Sequence, residues 1–518
     1  MNVNLKKIRN TLNNIYTKIE YILYFFITII LSVSIFMFTY YKKYFNIFDI
    51  KWVVIGSIAF ILFFLILFNN LTKKYKIIQN IFIMLAIPLG ILYIIFLLPI
   101  YVPDEQAHLF RAFDISKGKF ITDMEIQREY IPVDLEKIEK EGERANTYFE
   151  LVEKLKENTD YNSEPREIFN SAESYPFIMY IPSAIVCFFC RNLSINLYIM
   201  MFFCRFANYV FFLLLGYYSI KLLPIGKLVM LVYLFNPMFM QQTASISADS
   251  FINSITMLFI AMSVNLIINK NDEKIDIRKK IIYSILAISI AFSKYVYFPI
   301  IFISLLLLKN GKKYKKNDNI FILILCVICI LLALINVYIG MQYKDVRGYV
   351  IENNVNSLEQ TKNIIKYPTK YISVLKDTLS EKAEIYFLQF LGYDLGLLVI
   401  EGNYIVCFIY MFLLLVTPFL EKNIYSLKNI DRLLFLLISL GIIVLVLTGL
   451  YLGWTTVGGE IIEGVQGRYF LPVMILPLIC LIFKNKNVIF EHVNIFILVL
   501  LGFINLYSIC SIINFFII

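Results

Sequence analysis

The sequence has little charge for its length, and this scarcity indicates its class. Only 17% of its 518 residues are charged, whereas 59% are hydrophobic, and the mean hydropathy is +0.72. Apolar runs of about 20 residues recur along the chain, which is the length that crosses a bilayer as a helix. The sequence therefore predicts an all-α polytopic membrane protein.

Cysteine is missing from the long polar segments. All eight cysteines lie in apolar runs, so no disulfide framework is expected in the loops. The pairs Cys187/Cys190 and Cys326/Cys329 have the C-x-x-C spacing of some zinc sites, but they lie inside apolar helices rather than at turns. We interpret them as small residues that allow helices to pack.

A cleavable signal peptide is not indicated either. The apolar run from Tyr21 to Tyr41 is too long for a signal-peptide core and lacks a small-residue cleavage site, so it is interpreted as a retained span. Thirteen apolar runs are candidate spans, with boundaries near 20–41, 50–70, 78–100, 176–190, 195–220, 225–243, 248–268, 281–308, 319–342, 397–420, 433–453, 469–483 and 489–516.

The net charge of +10 does not indicate a nucleic-acid partner, because lysines cluster in short segments between the apolar runs. The basic N-terminus and the segment 73–76 are expected in the cytoplasm, which sends residues 101–175 outside. That loop has 10 basic and 18 acidic side chains, a net charge of −8. The same rule places residues 343–385 and 454–468 outside. Helices lying on the membrane surface are expected at 148–158 and 370–386.

Two segments are expected to be irregular. The basic segments 270–280 and 309–316 should both be cytoplasmic, so the chain between them should form two short helices that meet near Lys294. One of the three apolar runs between 176 and 243 must be short or re-entrant if Asp249 is to begin its helix on the outside. Irregular backbone at membrane depth is tolerated only where it faces protein or a water-filled cavity. A polar cavity open to the outer face is therefore expected.

The most unusual polar cluster follows the run 78–100. A helix resuming after Pro103 would place Asp104, His108 and Arg111 on one face, with Glu105 close by. A carboxylate beside imidazole and guanidinium suits a general base. A divalent metal held by Asp104 and His108, or a plain polar cap of the helix, are the alternatives.

Three further clusters contain ionisable groups. In the segment 463–472 the glycines would let backbone approach a ligand closely, and Arg468 offers a planar fork for phosphate, unless it only snorkels to the surface. Asp249 either caps the helix that follows it or lines the cavity. Lys294 is not expected to remain unpaired in lipid.

Five motifs in this order resemble a known family. They are P-D-E-x-x-H-x-x-R-A at 103–112, S-Y-P-x-x-x-Y-x-P at 174–182, N-P with S-A-D-S at 236–250, S-K-Y at 293–295 and Q-G-R-Y-F-L-P at 466–472. Over residues 80–485 the chain resembles the bacterial multi-pass membrane proteins of the domain-of-unknown-function 2142 type. That family is similar in plan to GT-C glycosyltransferases, although the runs 20–41 and 50–70 are additional.

The resemblance implies a GT-C-like bundle of about 13 transmembrane helices with surface helices in the first large extracytoplasmic loop. It divides the chain into an N-terminal two-helix extension (1–77), a catalytic transmembrane domain (78–485) and a C-terminal transmembrane helix (486–518). The implied reaction is inverting transfer of a sugar from a polyprenyl-phosphate donor to a cell-envelope glycan or lipid acceptor. It would take place on the extracytoplasmic side of the bacterial plasma membrane.

The resemblance also implies roles for particular residues. Asp104 would be the general base, with Glu105 in reserve. Arg468 and Lys294, with Arg111 or His108, would stabilise the departing lipid phosphate. The remaining substrate-binding or phosphate-binding residues would be Tyr175, Asp249, Gln466 and Tyr469. No cofactor is required by this scheme, and a divalent metal remains the alternative.

A transporter or flippase of lipid-linked saccharides is the competing function, since it too needs a polar cavity, cations and broken helices. Transport gives no reason to gather carboxylates, imidazole and guanidinium on one outside face, and the chain shows no clear internal repeat. No nucleotide-binding glycine-rich loop is present, which argues against a soluble nucleotide-sugar donor.

Overall fold

The structure is a computed structural model. It describes residues 78–120, 128–136, 138, 144–163, 165–269, 275–309, 316–342, 354–421, 423–484 and 493–517. The predicted spans 20–41 and 50–70, and with them the predicted domain 1–77, lie outside the described residues.

The described chain is mainly helical. In chain order its α-helices are α1 (Ile78–Phe96), α2 (Glu105–Ser116), α3 (Val133–Glu136), α4 (Tyr148–Lys154), α5 (Ile181–Asn192), α6 (Leu197–Leu222), α7 (Lys227–Leu234), α8 (Pro237–Thr243), α9 (Ala248–Ile268), α10 (Ile277–Ser293), α11 (Leu305–Lys309), α12 (Lys316–Gln342), α13 (Ser357–Lys366), α14 (Pro368–Leu391), α15 (Tyr404–Leu420), α16 (Asn429–Gly453), α17 (Ile475–Cys480) and α18 (Val493–Ile517). Short 3₁₀ helices are Ser171–Ser174, Phe177–Tyr180, Tyr295–Ser304 and Gly467–Phe470.

Two small antiparallel sheets complete the described structure. Strands β1 (Arg128–Pro132) and β2 (Pro165–Phe169) pair in the polar segment between α2 and α5, with Arg128 opposite Phe169. Strands β3 (Asp394–Leu395) and β4 (Ile400–Glu401) form a hairpin between α14 and α15, with Asp394 opposite Glu401.

Six described helices are long and apolar enough to cross a membrane. They are Ile78–Phe96, Leu197–Leu222, Ala248–Ile268, Asn317–Ile339, Asn429–Gly453 and Ile497–Ile517. Shorter apolar helices cover Phe177–Asn192, Tyr295–Leu308 and Tyr404–Leu420. The all-α, multi-pass membrane class is therefore confirmed, whereas the number of 13 spans stays a prediction.

Helix α9 forms the centre of the core. Its apolar window is 89% buried, compared with 33% for α12 and for α16, whose outward faces remain apolar and exposed. A helix that is buried on nearly every side is an interior helix, whereas an apolar outer face suits lipid. The first turn of this central helix carries Asp249, one of the predicted site residues.

The apolar run 225–243 is broken inside the protein. Helix α7 ends at Leu234 and α8 begins at Pro237, because the residue before a proline is disfavoured in helical conformation. The Asn236 side chain caps α8 by accepting a hydrogen bond from the backbone N–H of Phe239 at 3.1 Å. Asn505 donates to the Phe235 carbonyl at 2.9 Å, so the freed backbone is satisfied. The run 225–243 thus consists of two short helices, whereas the expectation that one of the three runs before Asp249 does not cross the membrane stays a prediction.

The predicted hairpin near Lys294 is also present. Helix α10 ends at Ser293, and Lys294 is extended, with φ −125° and ψ 110°. The Tyr283 hydroxyl on α10 lies 2.7 Å from the Ser304 hydroxyl at the end of the following 3₁₀ helix. The chain therefore doubles back, with Lys294 at the apex.

The polar segment between α2 and α5 is attached to the end of α1. Helix α4 is capped by Thr147, whose hydroxyl accepts from the Glu150 N–H at 3.2 Å. The Tyr148 hydroxyl donates to the Phe96 carbonyl at 2.8 Å. Both predicted loop helices are helical, as α4 and α14, while their position on a membrane surface stays a prediction.

Candidate functional site

Asp104 joins the end of α1 to α2 in an unusual backbone conformation. Its φ is 64° and its ψ is 12°, a left-handed conformation that aspartate adopts more readily than most residues with a side chain. The side chain makes no capping hydrogen bond to α2 and is 59% exposed. The carboxylate is therefore turned away from the helix that it precedes.

Arg468 holds this carboxylate from the protein side. Its Nη2 donates to Asp104 Oδ2 at 2.8 Å, and its Nε donates to Gln466 Oε1 at 2.6 Å. The Arg468 side chain is only 2% exposed, although the Asp104 side chain that it binds is mostly exposed. These two residues lie 364 positions apart in the chain. Arg468 is therefore a buried positioning group and not a snorkelling surface residue.

A second carboxylate lies behind Arg468. Asp249 Oδ2 is 3.5 Å from Arg468 Nη1, and Asp249 Oδ1 is 2.5 Å from Lys294 Nζ. We call Asp104, Arg468, Asp249 and Lys294 the ionic cluster; with all four ionised its net charge is zero. The structure thus brings together the groups that the sequence placed on one face.

The capping role considered for Asp249 belongs to a neighbour. Ser247 is the N-cap of α9, and its hydroxyl accepts a hydrogen bond from the Asp249 N–H at 3.0 Å. The Asp249 carboxylate, in the first turn of α9, instead pairs with the two cations. Of the two interpretations of Asp249, the helix cap is therefore wrong.

Aromatic rings surround the two cations. Lys294 Nζ lies 5.2 Å from the centroid of the Tyr175 ring, and Arg468 Cζ lies 5.2 Å from that of Tyr469. Cations within about 6 Å of an aromatic face are attracted by its quadrupole. The predicted residues Tyr175 and Tyr469 therefore contact the ionic cluster directly.

His108 lies beside this cluster as a buried group on α2. Its Nδ1 is 2.7 Å from the Tyr180 hydroxyl. Burial lowers the pKa of His108 to about 4, so the imidazole is neutral at neutral pH. A neutral imidazole does not supply the positive charge that the resemblance implied for it.

Glu105 points into a different network from its neighbour. Its carboxylate is fully buried and accepts from Arg205 Nε at 2.8 Å and Arg205 Nη2 at 2.7 Å. The backbone N–H groups of Ile100 and Ile246 donate to the same carboxylate at 2.8 and 3.1 Å. Both oxygens are thus engaged, and this geometry favours a structural role over that of a reserve base.

Arg111 is also turned away from the ionic cluster. Its Nη1 donates to Glu173 Oε2 at 3.2 Å and its Nη2 to the Phe120 carbonyl at 3.0 Å. The side chain is 3% exposed, so the pair with Glu173 is a buried one. Arg111 therefore fastens α2 to the segment that precedes α5, with its guanidinium directed away from the ionic cluster.

A cavity of about 330 Å³ lies against the exposed face of Asp104. This volume is at the lower end of the range for small-molecule sites. We call it the Asp104 cavity; its lining residues are Ile100, Pro103, Asp104, Gln106, Ile138, Arg144, Leu397, Leu398 and Gln466. The lining therefore combines apolar walls with four polar or charged side chains.

Backbone strain is concentrated at this cavity. Five non-glycine residues in the described chain have positive φ, and three of them, Ile100 (70°), Asp104 (64°) and Leu398 (64°), line the cavity. A β-branched residue such as Ile100 pays a particularly high cost in this conformation. Strained residues cluster at binding and catalytic sites, where the surrounding fold enforces them. This observation is independent of the charges and points to the same place.

Several residues of the cavity wall were not predictable from the sequence. Arg144 is one of several basic residues in an acidic segment, and no motif distinguishes it. Leu398 belongs to the hairpin between β3 and β4, whose sequence has no motif that indicates a site. The hairpin is fixed by Gln241, whose Oε1 accepts from the Gly396 N–H at 2.7 Å. These segments meet only through tertiary packing, so no spacing in the sequence could have linked them.

The glycines beside Arg468 have a different role from the predicted one. A Cβ on Gly467 would lie 2.3 Å from the Tyr386 carbonyl oxygen and 2.4 Å from the Phe390 nitrogen, both backbone atoms of α14. Gly464, with φ 74°, meets the Trp454 ring. These glycines allow close packing against the protein's own atoms, so the expectation that they admit a ligand is wrong for both.

Gly467→Ala should therefore destabilise the protein. The added methyl group must push the Arg468 segment away from α14, at a cost of about 1–3 kcal/mol for overpacking. Thermal unfolding of the purified protein should show a lower midpoint than for wild type. Gly441→Ala in α16 is the matched control, because no atom lies within 4 Å of its new Cβ. Equal midpoints for the two variants would contradict the close-packing role.

The helices and the cavity define a multi-pass membrane protein with a polar site near the ends of its helices. Residues 87–477 match a family described as predicted membrane protein, domain of unknown function 2142. The chain belongs to this family, and the matched region includes the whole ionic cluster and the lining of the Asp104 cavity. No curated protein and no solved structure matches the chain.

Proposed function

We propose that this protein is a membrane glycosyltransferase that takes a sugar from a polyprenyl-phosphate donor and attaches it to a hydroxyl of a cell-envelope glycan or lipid. The observation that carries the proposal is the Asp104 carboxylate, which is held by a buried guanidinium on one side and borders a cavity on the other. A positioned carboxylate beside a cavity of this size is the arrangement that a general base requires.

The two oxygens of Asp104 have different surroundings. Arg468 donates to Oδ2, whereas no described residue hydrogen-bonds to Oδ1. Oδ1 would accept the proton of the acceptor hydroxyl as the acceptor oxygen attacks the anomeric carbon. The bond between that carbon and the phosphate oxygen breaks at the same time, and the polyprenyl phosphate leaves with the electron pair. A single displacement of this kind inverts the configuration of the sugar.

The location also suits a lipid-linked donor. Asp104 lies eight residues after the end of α1, one of the helices apolar enough to span a membrane. A polyprenyl tail remains in the bilayer because each buried CH₂ group adds about 0.8 kcal/mol to its partitioning. A base close to a span's end is therefore within reach of a sugar on a membrane-held carrier.

The electrostatics keep this base ionised. Partial burial raises the pKa of the Asp104 carboxyl, but the Arg468 guanidinium and other neighbours more than offset this, so the pKa lies below its ordinary value. The carboxylate is consequently free of protons at neutral pH. Its lowered basicity is the accompanying cost, since the most effective base has a pKa near the working pH.

Arg468→Gln should shift the pH dependence of transfer. The Arg468 guanidinium is the main group that lowers the pKa of Asp104, and without it the effect of burial raises that pKa. The acidic limb of the pH–rate profile should therefore move to higher pH. The same profile measured for Arg191→Gln, an arginine on α5 that stacks on Phe113, should match wild type. An acidic limb that stays in place in Arg468→Gln would show that Arg468 does not set the protonation of the base.

The proposed steps do not use a metal ion. Within the described ranges, no three His, Cys, Asp or Glu side chains converge as a metal-binding group. The predicted alternative ligands, Asp104 and His108, are engaged by Arg468 and Tyr180 respectively. Divalent metal dependence stays a prediction, and assays with and without a chelator address it.

The direct test uses the purified protein with a panel of labelled polyprenyl-phosphate sugars and acceptor fractions from the cell envelope. We expect label to reach the acceptor from at least one donor, and none from nucleotide sugars. Absence of transfer with every donor, together with movement of an intact lipid-linked saccharide across a bilayer, would favour the flippase alternative. The buried break between α7 and α8 is the structural feature that such a transporter would share.

A further inference from the structure

The ionic cluster leaves no surplus positive charge for a substrate. Arg468 and Lys294 are both paired with carboxylates of the protein, and His108 is neutral. A departing phosphate carries negative charge that must be stabilised in the site. Placing it on cations that already neutralise Asp104 and Asp249 would leave a carboxylate without its partner, which is costly where the group is buried.

Arg144 is a cation outside the ionic cluster, and it lines the Asp104 cavity. Its guanidinium packs on the Tyr101 ring, with Cζ 5.2 Å from the centroid, and its Nε donates to Asn146 Oδ1 at 3.2 Å. It forms no ion pair with any carboxylate in the described part of the chain. Within that same part, its Nη1 and Nη2 have no hydrogen-bond acceptor. The two terminal nitrogens are the fork with which arginine binds the oxygens of phosphate.

The position of Arg144 is fixed relative to the proposed base. The Tyr101 hydroxyl donates to the same Asn146 Oδ1 at 2.8 Å, and the Asn146 N–H donates to Glu150 Oε2 at 2.8 Å. Tyr101 lies three residues before Asp104 in the strained segment that lines the cavity. The stacked ring therefore connects the guanidinium to the segment that carries the carboxylate, which reduces the ordering cost of binding.

We propose that Arg144 binds the phosphate of the substrate in the Asp104 cavity. This inference rests on the proposed function, and it names the residue that receives the leaving group. An in-line displacement needs a base and a phosphate-binding cation that share one cavity without pairing with each other. Asp104 and Arg144 meet this condition, since Asp104 is paired with Arg468 instead.

The test measures binding of a short-chain polyprenyl phosphate to the full-length protein in nanodiscs. Arg144→Gln should weaken this binding by roughly 10- to 100-fold, as expected for loss of a charge-assisted bidentate contact. Arg144→Lys should recover part of it, because the charge remains but the fork is lost. The matched control is Arg191→Gln, which removes another arginine stacked on an aromatic ring, Phe113, and should bind as wild type does.

Two further probes identify what Arg144 recognises. Polyprenol of the same chain length lacks the phosphate, so its weaker binding should be the same in wild type and Arg144→Gln. Competition by inorganic phosphate at concentrations comparable to the lipid would assign the site to free phosphate, whereas competition only at far higher concentrations assigns it to the lipid headgroup. In either outcome of the competition experiment, inorganic phosphate should compete only in wild type, because Arg144→Gln lacks the guanidinium that binds phosphate.

Wild-type affinity in Arg144→Gln, or no binding of any phosphate probe by wild type, would overturn the inference. Its failure is separable from that of the proposed function. Sugar transfer that is equal in wild type and Arg144→Gln keeps the transferase and removes the role of Arg144. Arg144-dependent phosphate binding without any sugar transfer keeps the binding site and removes the transferase.

Discussion

Asp104→Asn should lower the rate of sugar transfer by about 10²- to 10⁴-fold, the usual contribution of a general base. The substitution keeps the size of the side chain and removes its basicity. Arg468 retains Asp249 as a partner, so the buried guanidinium is not left without a carboxylate. Expression, unfolding temperature and binding of a polyprenyl phosphate should therefore stay close to wild type.

The matched control for this result is Asp377→Asn. Asp377 lies on the exposed side of α14, where it accepts a hydrogen bond from the Ser373 hydroxyl at 3.0 Å. Transfer by this variant should equal that of wild type. Undiminished transfer by Asp104→Asn would remove Asp104 from the chemistry. Loss of donor binding along with transfer would instead assign Asp104 to substrate binding.

Glu105→Gln should have a large effect of another kind, on folding. Arg205 and Glu105 are both 0% exposed, and Arg205 also donates to the carbonyls of Ile94 and Leu98. Breaking a buried pair by removing one partner costs about 3–5 kcal/mol, because the remaining charge is uncompensated. We expect a much lower unfolding temperature and a smaller folded fraction in size-exclusion chromatography.

Two comparisons separate this structural role from catalysis. Glu381→Gln disrupts an exposed pair with Lys382 and should cost less than about 1 kcal/mol. The double variant Glu105→Gln with Arg205→Met removes both charges and should recover part of the stability. If Glu105→Gln unfolds like wild type but no longer transfers sugar, Glu105 is the base and the assignment to Asp104 is wrong.

Much of the fold follows from local patterns in the sequence. The apolar runs near 78–100, 195–220, 248–268 and 433–453 correspond to α1, α6, α9 and α16, because burial in lipid or core requires sustained hydrophobicity. The hairpin at Lys294 followed from basic segments on both sides, since lysine-rich loops remain on one face of the membrane.

The ionic cluster was predictable for a related reason. Ionisable residues next to apolar spans are costly, so Asp104, Asp249, Lys294 and Arg468 each required an explanation. The different roles of Asp104 and Glu105 could not be predicted in this way, because two adjacent carboxylates share the same sequence context. The difference depends on the left-handed turn at Asp104 and on Arg205, which lies 100 positions from Glu105.

The cavity itself was beyond sequence patterns. Arg144 reaches it through hydrogen bonds with Asn146 and stacking on Tyr101, and Leu398 through the hairpin that Gln241 holds. Neither segment has a motif, a charge pattern or a spacing that indicates a site. Their contribution arises from tertiary contacts alone, which explains why the most informative new residue was found only in the structure.

The most direct measurement follows the chemical fate of a donor labelled in both its sugar and its lipid, in proteoliposomes that contain the purified protein and an acceptor. We expect the two labels to separate, with the sugar on the acceptor and one polyprenyl phosphate released for each sugar transferred, and no separation with Asp104→Asn. A donor that crosses the bilayer with both labels still joined would contradict the proposed glycosyl transfer.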